Sequence, residues 1–367
     1  MTDACDLLDF ALLRFERYID DDYADGPWAT WLATPAEMPD AVAGLVWSAL
    51  GSPYATMRWQ AAHCVRRLCE GCCEREIASL IGCMQRGGVG AFGSAQFPFY
   101  ELHARLYLLI ALARVAVDNV GILRPHSTAF SNAALKGFPH ILIQKTAADI
   151  ALFIEKIHPG TYPTEEVVKL RQVGLSLLPA RVVKNYGQQV GSSGHSEIGS
   201  DSSPKLHFAW DFDHYWFNQF GPVFGVSEEQ VVKYVREAAT QHLNIAGNVG
   251  YPRDPRQKQW ESLDHGSRGT SHSHGSYPRV DDFNFYYSYH SFLSVAARLL
   301  QEMPVLRTPN QSPGEDEWTD WLKRHSLTRS DDSVAWVMAS VTYAASNLAL
   351  CAKGRGVLPQ ENATAFS

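Results

Sequence analysis

Three prolines recur in the first half of the chain at a spacing that matches pairs of helices. Pro53, Pro98 and Pro139 each precede an amphipathic segment, and they lie 45 and 41 residues apart. A period in the low forties is the length of two helices with their turns. Small residues follow each proline at similar offsets, where stacked helices must approach closely: Ala61, Ala62, Ala104, Ala147 and Ala148. The spacing therefore predicts a stack of antiparallel helical hairpins, an α-solenoid.

Capping patterns and apolar periodicity place the individual helices. Thr34-Pro35-Ala36-Glu37 has the form of a capping box, and Ser52-Pro53 is typical of another helix start. From residue 54 to residue 69, apolar side chains recur every three or four positions, as on one face of a helix. The same criteria predict further helices near 74–86, 99–118, 124–136, 139–157, 227–242, 282–302 and 315–325.

Changes in composition divide the chain into four parts. Residues 1–175 carry the helical repeats, and 176–205 end in a Gly/Ser-rich tract that predicts a linker. Residues 206–330 are rich in aromatic side chains and helical patterns, and 331–367 form a tail whose packing the pattern does not indicate. The sequence therefore predicts an all-α protein in which an aromatic-rich helical C-terminal segment follows the repeats.

Charge and cysteine usage narrow the class of partner and compartment. The formal net charge is -7 with a pI near 6.0, so a nucleic-acid backbone is not the favoured partner. The first residues do not resemble a signal peptide, and the most apolar run, 106–117, is too short to span a bilayer. An odd number of cysteines, seven, indicates reduced thiols. We expect a cytoplasmic protein with no membrane contact and no cofactor.

Two parts of the sequence resemble a known class. Residues 50–68 and 138–155 are similar to HEAT-type repeats, and the resemblance covers roughly residues 36–160. Together with FDHYWFNQFGPVFGVS and HGSYPRVDDFNFYYSYHSF, they resemble the C-terminal region of large bacterial STAND-type NTPases, some of which act in defence against phage. The resemblance implies a HEAT-like sensor arm. The Gly-x-x-x-x-Gly-Lys-Ser/Thr motif of the NTPase domain does not occur in the chain, so ATPase activity is not implied.

A histidine-rich segment offers an enzymatic alternative. Between residues 263 and 290, imidazole and carboxylate groups accumulate that could bind a divalent metal and activate water. A metal-dependent phosphoesterase or nuclease would need them to converge on one point. An ordinary solvated loop has the same composition, which we favour. The candidate residues are His265, His272, His274, Asp281, Asp282 and His290.

Other motifs favour structural explanations. GGVGAFG at 87–93 contains a literal Gly-x-Gly-x-x-Gly, but no strand precedes it, so a turn between helices is favoured over a dinucleotide site. Cysteines crowd between residues 64 and 83 without a second Cys-x-x-Cys pair, and core or interface roles are favoured over zinc binding. Packing or surface roles are the default for four helical histidines: His103, His126, His140 and His158.

The favoured function is a non-catalytic binding module that recognises a protein through its helical-repeat surface. Aromatic and basic side chains are the candidates for this contact, because rings and guanidinium groups are enriched where proteins meet. For the arginines, a solvated face that pairs with Glu70, Glu74 and Glu76 is favoured over a nucleic-acid footprint. For the aromatic residues, a core or docking surface is favoured over a groove in which the rings stack on a base or a peptide. A nucleic-acid partner is less favoured. The candidates are Arg58, Arg66, Arg67, Trp210, Tyr215 and Trp216.

Overall fold

The computed structural model describes residues 33–93, 99–183, 208, 212–243, 245, 281, 283–311 and 316–327, together with residues 10 and 14. It is mostly helical, with 74% helix and 2% strand, so the predicted all-α class is confirmed. Eleven α-helices of seven residues or more lie in this part of the chain: α1 Met38–Leu50, α2 Ala55–Glu70, α3 Glu74–Arg86, α4 Glu101–Asn119, α5 Ser127–Leu135, α6 Ile141–Ile157, α7 Thr164–Gln172, α8 Asn218–Phe224, α9 Glu228–Leu243, α10 Phe283–Glu302 and α11 Glu317–His325.

Short elements complete the described structure. Single 3₁₀ turns span Gly90–Phe92, Val120–Ile122 and Arg124–His126, and a π-helical turn, Asp213–Phe217, leads into α8. Strand β1, Arg181–Val182, pairs in parallel with β2, Leu306–Arg307. The first residues of the predicted linker therefore contribute to this two-stranded pairing. Residues 184–205 of that segment, and the predicted tail, lie outside the described residues.

The N-terminal helices pack around a central row of three. Helices α2, α4 and α6 lie side by side in that order, while α1 packs against α2, α3 and α4, and α5 packs against α6. The alanines that the proline spacing singled out are all buried on these three helices: Ala61, Ala62, Ala104, Ala147 and Ala148. Small side chains at these positions let the helix axes approach closely.

The helix starts differ from the predicted caps. Ser227 Oγ accepts a hydrogen bond from the backbone N–H of Gln230 at 3.3 Å and so caps α9. Tyr54, and not Ser52, is the N-cap of α2. The predicted cap at Thr34 is wrong, because Glu37 is still extended and α1 begins at Met38. Pro39 occupies the first turn of α1, where its missing N–H costs nothing, so the helix starts one turn later than the capping-box pattern indicates.

Helix α10 connects the two ends of the structure. It packs against α6 on one side and α9 on the other, and every side chain from Phe285 to Ala297 is buried. The aromatic segment surrounds its middle: Phe292 lies 5.0 Å from Phe220 and 5.5 Å from Trp321, measured between ring centroids. A single hydrophobic core therefore runs from α1 to α11 through α10.

Among the described residues, no single helix is both long and apolar enough to cross a bilayer. The pair Glu101–Ile122 and Arg124–Leu135, which is bent by 110°, meets the length and composition criteria only when taken together.

Because α10 lies in the middle of the core, we expect truncation of Phe292 to destabilise the protein strongly. Phe292→Ala removes a fully buried ring from between α8 and α11, so the free energy of unfolding should fall by about 3–5 kcal/mol. Urea unfolding followed by circular dichroism measures this change. The matched control is Val168→Ala on the half-exposed face of α7, which should change the free energy by less than about 0.5 kcal/mol. Equal effects of the two substitutions would contradict the placement of α10.

Candidate functional site

Arg58 lies on α2 with its guanidinium in the protein core. The residue is 3% exposed, and its Nη1 donates to the carbonyl oxygens of Ser52 at 2.8 Å and Pro53 at 2.9 Å. Its Nη2 lies 3.1 Å from Oδ2 of Asp281. A buried guanidinium costs several kcal/mol unless acceptors and a counter-charge surround it. The turn before α2 and the carboxylate of Asp281 supply both.

Asp281 precedes α10 and is held through its backbone as well as its side chain. Its N–H donates to the Pro53 carbonyl at 3.0 Å, and its own carbonyl accepts from the Tyr100 hydroxyl at 3.2 Å. Oδ2 accepts from Nε2 of His103 at 2.5 Å and also faces Arg58. The carboxylate therefore joins the turn at Pro53, the start of α4 and the start of α10.

Three histidines extend this contact across the core. His103 Nδ1 lies 3.0 Å from Nε2 of His290, and His290 Nδ1 lies 2.9 Å from Nε2 of His140. His140 is the N-cap of α6, and its Nδ1 accepts from the backbone N–H of Ile143 at 3.3 Å. We call His140, His290, His103 and Asp281 the histidine chain. Its members come from α6, α10, α4 and the segment before α10, and all are buried.

Burial keeps the imidazoles of this chain neutral. It lowers the pKa of His103 well below the usual value, and the nearby positive charge of Arg58 adds to the effect. Burial likewise lowers the pKa of His290, with His103 contributing, and lowers that of His140 to about 3. For Arg58, burial opposes the charge, but Asp281 outweighs it and raises the pKa. At neutral pH, Arg58 and Asp281 are thus the charged pair of the network.

Aromatic rings enclose the histidine chain and exclude water from it. Tyr100 stacks on Tyr286 with 4.4 Å between ring centroids, and Tyr286 contacts the rings of both His103 and His290. Low polarity strengthens hydrogen bonds inside such an enclosure, and it equally raises the cost of any unsatisfied group.

An apolar pocket lies on the outer side of the same turn. Its volume is about 410 Å³, and Ser52 and Pro53, whose carbonyls bind Arg58, form part of its wall. Helix α1, the start of α2, the Gly90–Phe92 turn and Phe99 supply the rest. Leu45 and Met57 line it and are 58% and 44% exposed. The pocket therefore presents apolar side chains to solvent beside the most polar part of the core.

Two glycines let aromatic rings approach the helix backbone at this pocket. A Cβ built on Gly44 would lie 2.1 Å from the Phe92 ring, and one on Gly51 would lie 2.3 Å from the Phe99 ring. Side chains at these positions would collide with the rings unless the rings moved. The shape of the pocket wall thus depends on both glycines.

The residues predicted to bind a partner occupy different environments. Arg58 and Trp216 are 3% and 2% exposed, which corrects the expectation that they contact a partner. Trp216 instead stacks on Phe212 at 4.9 Å between ring centroids, because the aromatic segment forms part of the core. Tyr215 is half-buried, and Trp210 lies outside the described residues.

Arg66 and Arg67 are at the surface and engage in ion pairs within the chain. Arg66 pairs with Glu70 at 3.0 Å and with Asp118 at 3.1 Å, and Arg67 pairs with Glu70 at 2.8 Å. This pairing with Glu70 agrees with the expectation of a solvated face. Such exposed pairs contribute little stability.

The candidate metal ligands are only partly placed. Asp281 and His290 belong to the histidine chain, whereas His265, His272, His274 and Asp282 lie outside the described residues. Both ring nitrogens of His290 face other histidine nitrogens, so neither is directed to a metal position shared with Asp281. Within the part of the chain that the structure describes, no three His, Cys, Asp or Glu side chains are arranged to hold a metal ion.

The glycine-rich motif and the buried Cys69 have structural roles. GGVGAFG forms a turn between α3 and the residues before α4, with positive φ at Gly87, Gly88 and Gly90. Cys69 is buried in the core, and burial raises the pKa of its thiol to about 12, which opposes thiolate chemistry.

Sequence reasoning missed His103 and His140 as members of a network. One signal was present: His103 interrupts the otherwise apolar run of α4, and Ser288, His290 and Ser291 interrupt the aromatic run of α10. Polar residues at buried positions of two helices require partners, and they can supply them to each other. The partners of His103, which are His290 and Asp281, lie 187 and 178 positions away and are fixed only by the tertiary fold.

Comparison with known proteins does not assign the chain to a family. No protein-family model matches the sequence, and no curated protein is significantly similar to it.

Because the buried histidines are neutral in the folded state, we expect the protein to lose stability in acid. Their folded-state pKa values lie below the ordinary value of about 6.5, so the unfolded state binds more protons once the pH falls below that value. Stability should be constant above about pH 7. Below pH 6.5 it should fall by up to about 4 kcal/mol per pH unit if all three histidines contribute.

Urea unfolding between pH 7.5 and pH 5.0 measures this dependence. His103→Gln removes one of the three histidines, so the slope of the free energy of unfolding against pH should decrease by about 1.4 kcal/mol per pH unit, which corresponds to one proton. The substitution should also lower the stability at neutral pH. Val168→Ala, which replaces no titratable group, serves as a control and should keep the slope of the parent protein. A flat profile from pH 7.5 to pH 5.0 would contradict neutral burial of the histidines.

Proposed function

We propose that this chain is a non-catalytic binding module that holds a protein partner at the apolar pocket. The observation that carries the proposal is the exposure of Leu45 and Met57 at the rim of a pocket of about 410 Å³. Apolar side chains grouped around a concavity are typical of a protein-interaction site, because burying them on binding releases water.

The helix arrangement supports the repeat aspect of this proposal. The row α2–α4–α6, with buried alanines on all three helices, supports a HEAT-like stack of hairpins. In such a stack, recognition is spread along one surface. The pocket lies at the α1–α2 end, next to the first predicted repeat.

The charge and the polarity of the surface favour a protein partner over a nucleic-acid partner. The surface arginines Arg66 and Arg67 are neutralised by Glu70 and Asp118, and the net charge is -7. The pocket wall is largely apolar. A phosphate backbone needs a concentration of unpaired positive charge, whereas an apolar side chain of a polypeptide fits the pocket.

The resemblance to STAND-type NTPases gives this proposal a biological setting. In it, the chain is a sensor part of a bacterial defence or signalling NTPase, located in the cytoplasm, which recognises a protein through the repeat surface. ATP hydrolysis is not part of the proposal, because the sequence has no phosphate-binding loop.

Recovery of partners with two matched variants tests the pocket. Leu45→Glu places a charge at the pocket rim, and Leu177→Glu places the same charge at an equally exposed leucine elsewhere, since the two side chains are 58% and 57% exposed. Immobilised parent protein should enrich at least one protein from a lysate of its native host. Leu45→Glu should lower the recovery of that protein at least tenfold, a loss of about 1.4 kcal/mol, while Leu177→Glu should not.

Circular dichroism shows whether each variant is folded, and both substitutions should be tolerated because both leucines are solvent-exposed. If every enriched protein binds parent and Leu45→Glu equally, the pocket is not the binding surface and the proposal is wrong.

A further inference from the structure

The direction of the hydrogen bonds in the histidine chain is set at the Ile143 end. The backbone N–H of Ile143 can only donate, so Nδ1 of His140 must be the acceptor and carries no proton. A neutral imidazole has one protonated nitrogen. The proton of His140 is therefore on Nε2, which faces Nδ1 of His290 at 2.9 Å.

The same argument passes from ring to ring. Because Nδ1 of His290 accepts, its proton is on Nε2, which donates to Nδ1 of His103 at 3.0 Å. His103 then carries its proton on Nε2, directed at Oδ2 of Asp281. The carboxylate can only accept, so it closes the chain at the opposite end. Both ends independently require the same direction.

We propose that all three histidines are locked in the Nε2–H tautomer and that the histidine chain acts as an acid-sensitive latch, which holds Asp281 against the turn at Pro53. The latch is closed when the chain contains one proton for each contact. It opens when a further proton enters.

Counting protons shows why the latch responds to acid. There are four contacts, from Ile143 to His140, then to His290, His103 and Asp281, and four protons occupy them. A fifth proton on any ring sets two N–H donors face to face at one contact. Shifting protons along the chain moves this conflict but does not remove it. A proton on Asp281 instead removes the negative charge that faces Arg58.

Among the described residues, Arg58 is the charged group that faces the histidine chain besides Asp281. Helix α2 contributes Arg58, whose positive charge opposes a further proton, and the nearby Tyr107 is kept neutral because burial raises the pKa of its hydroxyl. His242 of α9 contacts Phe138, which in turn contacts His140, so His242 is one ring removed. The remaining titratable groups that face the chain are phenols, from Tyr100, Tyr286 and Tyr289.

The latch acts on the wall of the apolar pocket. The Pro53 carbonyl accepts both from Arg58 and from the N–H of Asp281, and Pro53 lines the pocket. When the chain opens, Asp281 and Arg58 lose their shared contact, and this turn loses two donors. The inference does not depend on what the pocket binds.

Nuclear magnetic resonance on the full chain with ¹⁵N-labelled histidine tests the tautomers. At pH 7.5, the ¹⁵N shifts of His103, His140 and His290 should each show a protonated Nε2 and an unprotonated Nδ1. Assignment uses single His→Gln variants. A protonated Nδ1 at any of the three positions would overturn the proposed direction.

Amide hydrogen exchange tests the latch itself. At both pH 7.5 and pH 5.5, the Asp281 amide should be at least tenfold less protected than the Leu80 amide in the core of α3, and the Asp281 protection factor should fall at least tenfold over this range. Asp281→Asn removes the terminal charge, so its amide at position 281 should already be weakly protected at pH 7.5. His325→Gln, at a buried histidine outside the chain, should behave like the parent protein.

Unchanged protection of Asp281 down to pH 5.5 would overturn the latch. Equal protection factors of Asp281 and Leu80 at both pH values would also overturn it, because the Asp281 amide would then exchange only by global unfolding.

Discussion

The burial of the Asp281 carboxylate is the constraint on which the rest of the structure depends. A carboxylate in an apolar core is tolerated only when charge and hydrogen-bond donors surround it. Arg58 from α2 and His103 from α4 provide them, and both lie more than 170 positions earlier in the sequence. The donors therefore fix where the segment before α10 meets the N-terminal helices.

Two polar side chains of the buried helix α10, His290 and Ser288, find hydrogen-bond partners in the core. His290 bonds to histidines on either side, and Ser288 donates to the Asn284 carbonyl of its own helix. The remaining faces pack against aromatic rings, which stabilise the core through the area they bury. The repeat helices and the aromatic segment thus share one core, although their sequences differ in character.

The sequence predicts the helices well because their signals are local. Periodicity and caps place α3 at the observed residues and α6, α9 and α10 within about two residues, and the alanines after Pro53 and Pro139 are buried as expected. The predicted start of α1 is wrong because two prolines, Pro35 and Pro39, could each lie in a first helical turn, and only Pro39 does. Local pattern does not decide between such neighbours.

The candidate site is harder to predict, because its residues are brought together only by the fold. The pattern predicts Arg58 at the surface because α2 carries several arginines, and the sequence does not show which one faces the core. His290 and Asp281 were grouped by proximity in sequence, whereas the structure joins them through His103 of a distant helix. Long-range pairing of buried polar groups was the missing information.

A double-mutant cycle between α2 and the segment before α10 tests this account most directly. Arg58→Met and Asp281→Leu, alone and together, would be compared by free energy of unfolding at pH 7.5. Each single change leaves one buried charge uncompensated and should cost about 3–5 kcal/mol, while the double variant should cost far less than their sum. Additivity within about 0.5 kcal/mol would contradict the account, because it would show that the two charges do not meet.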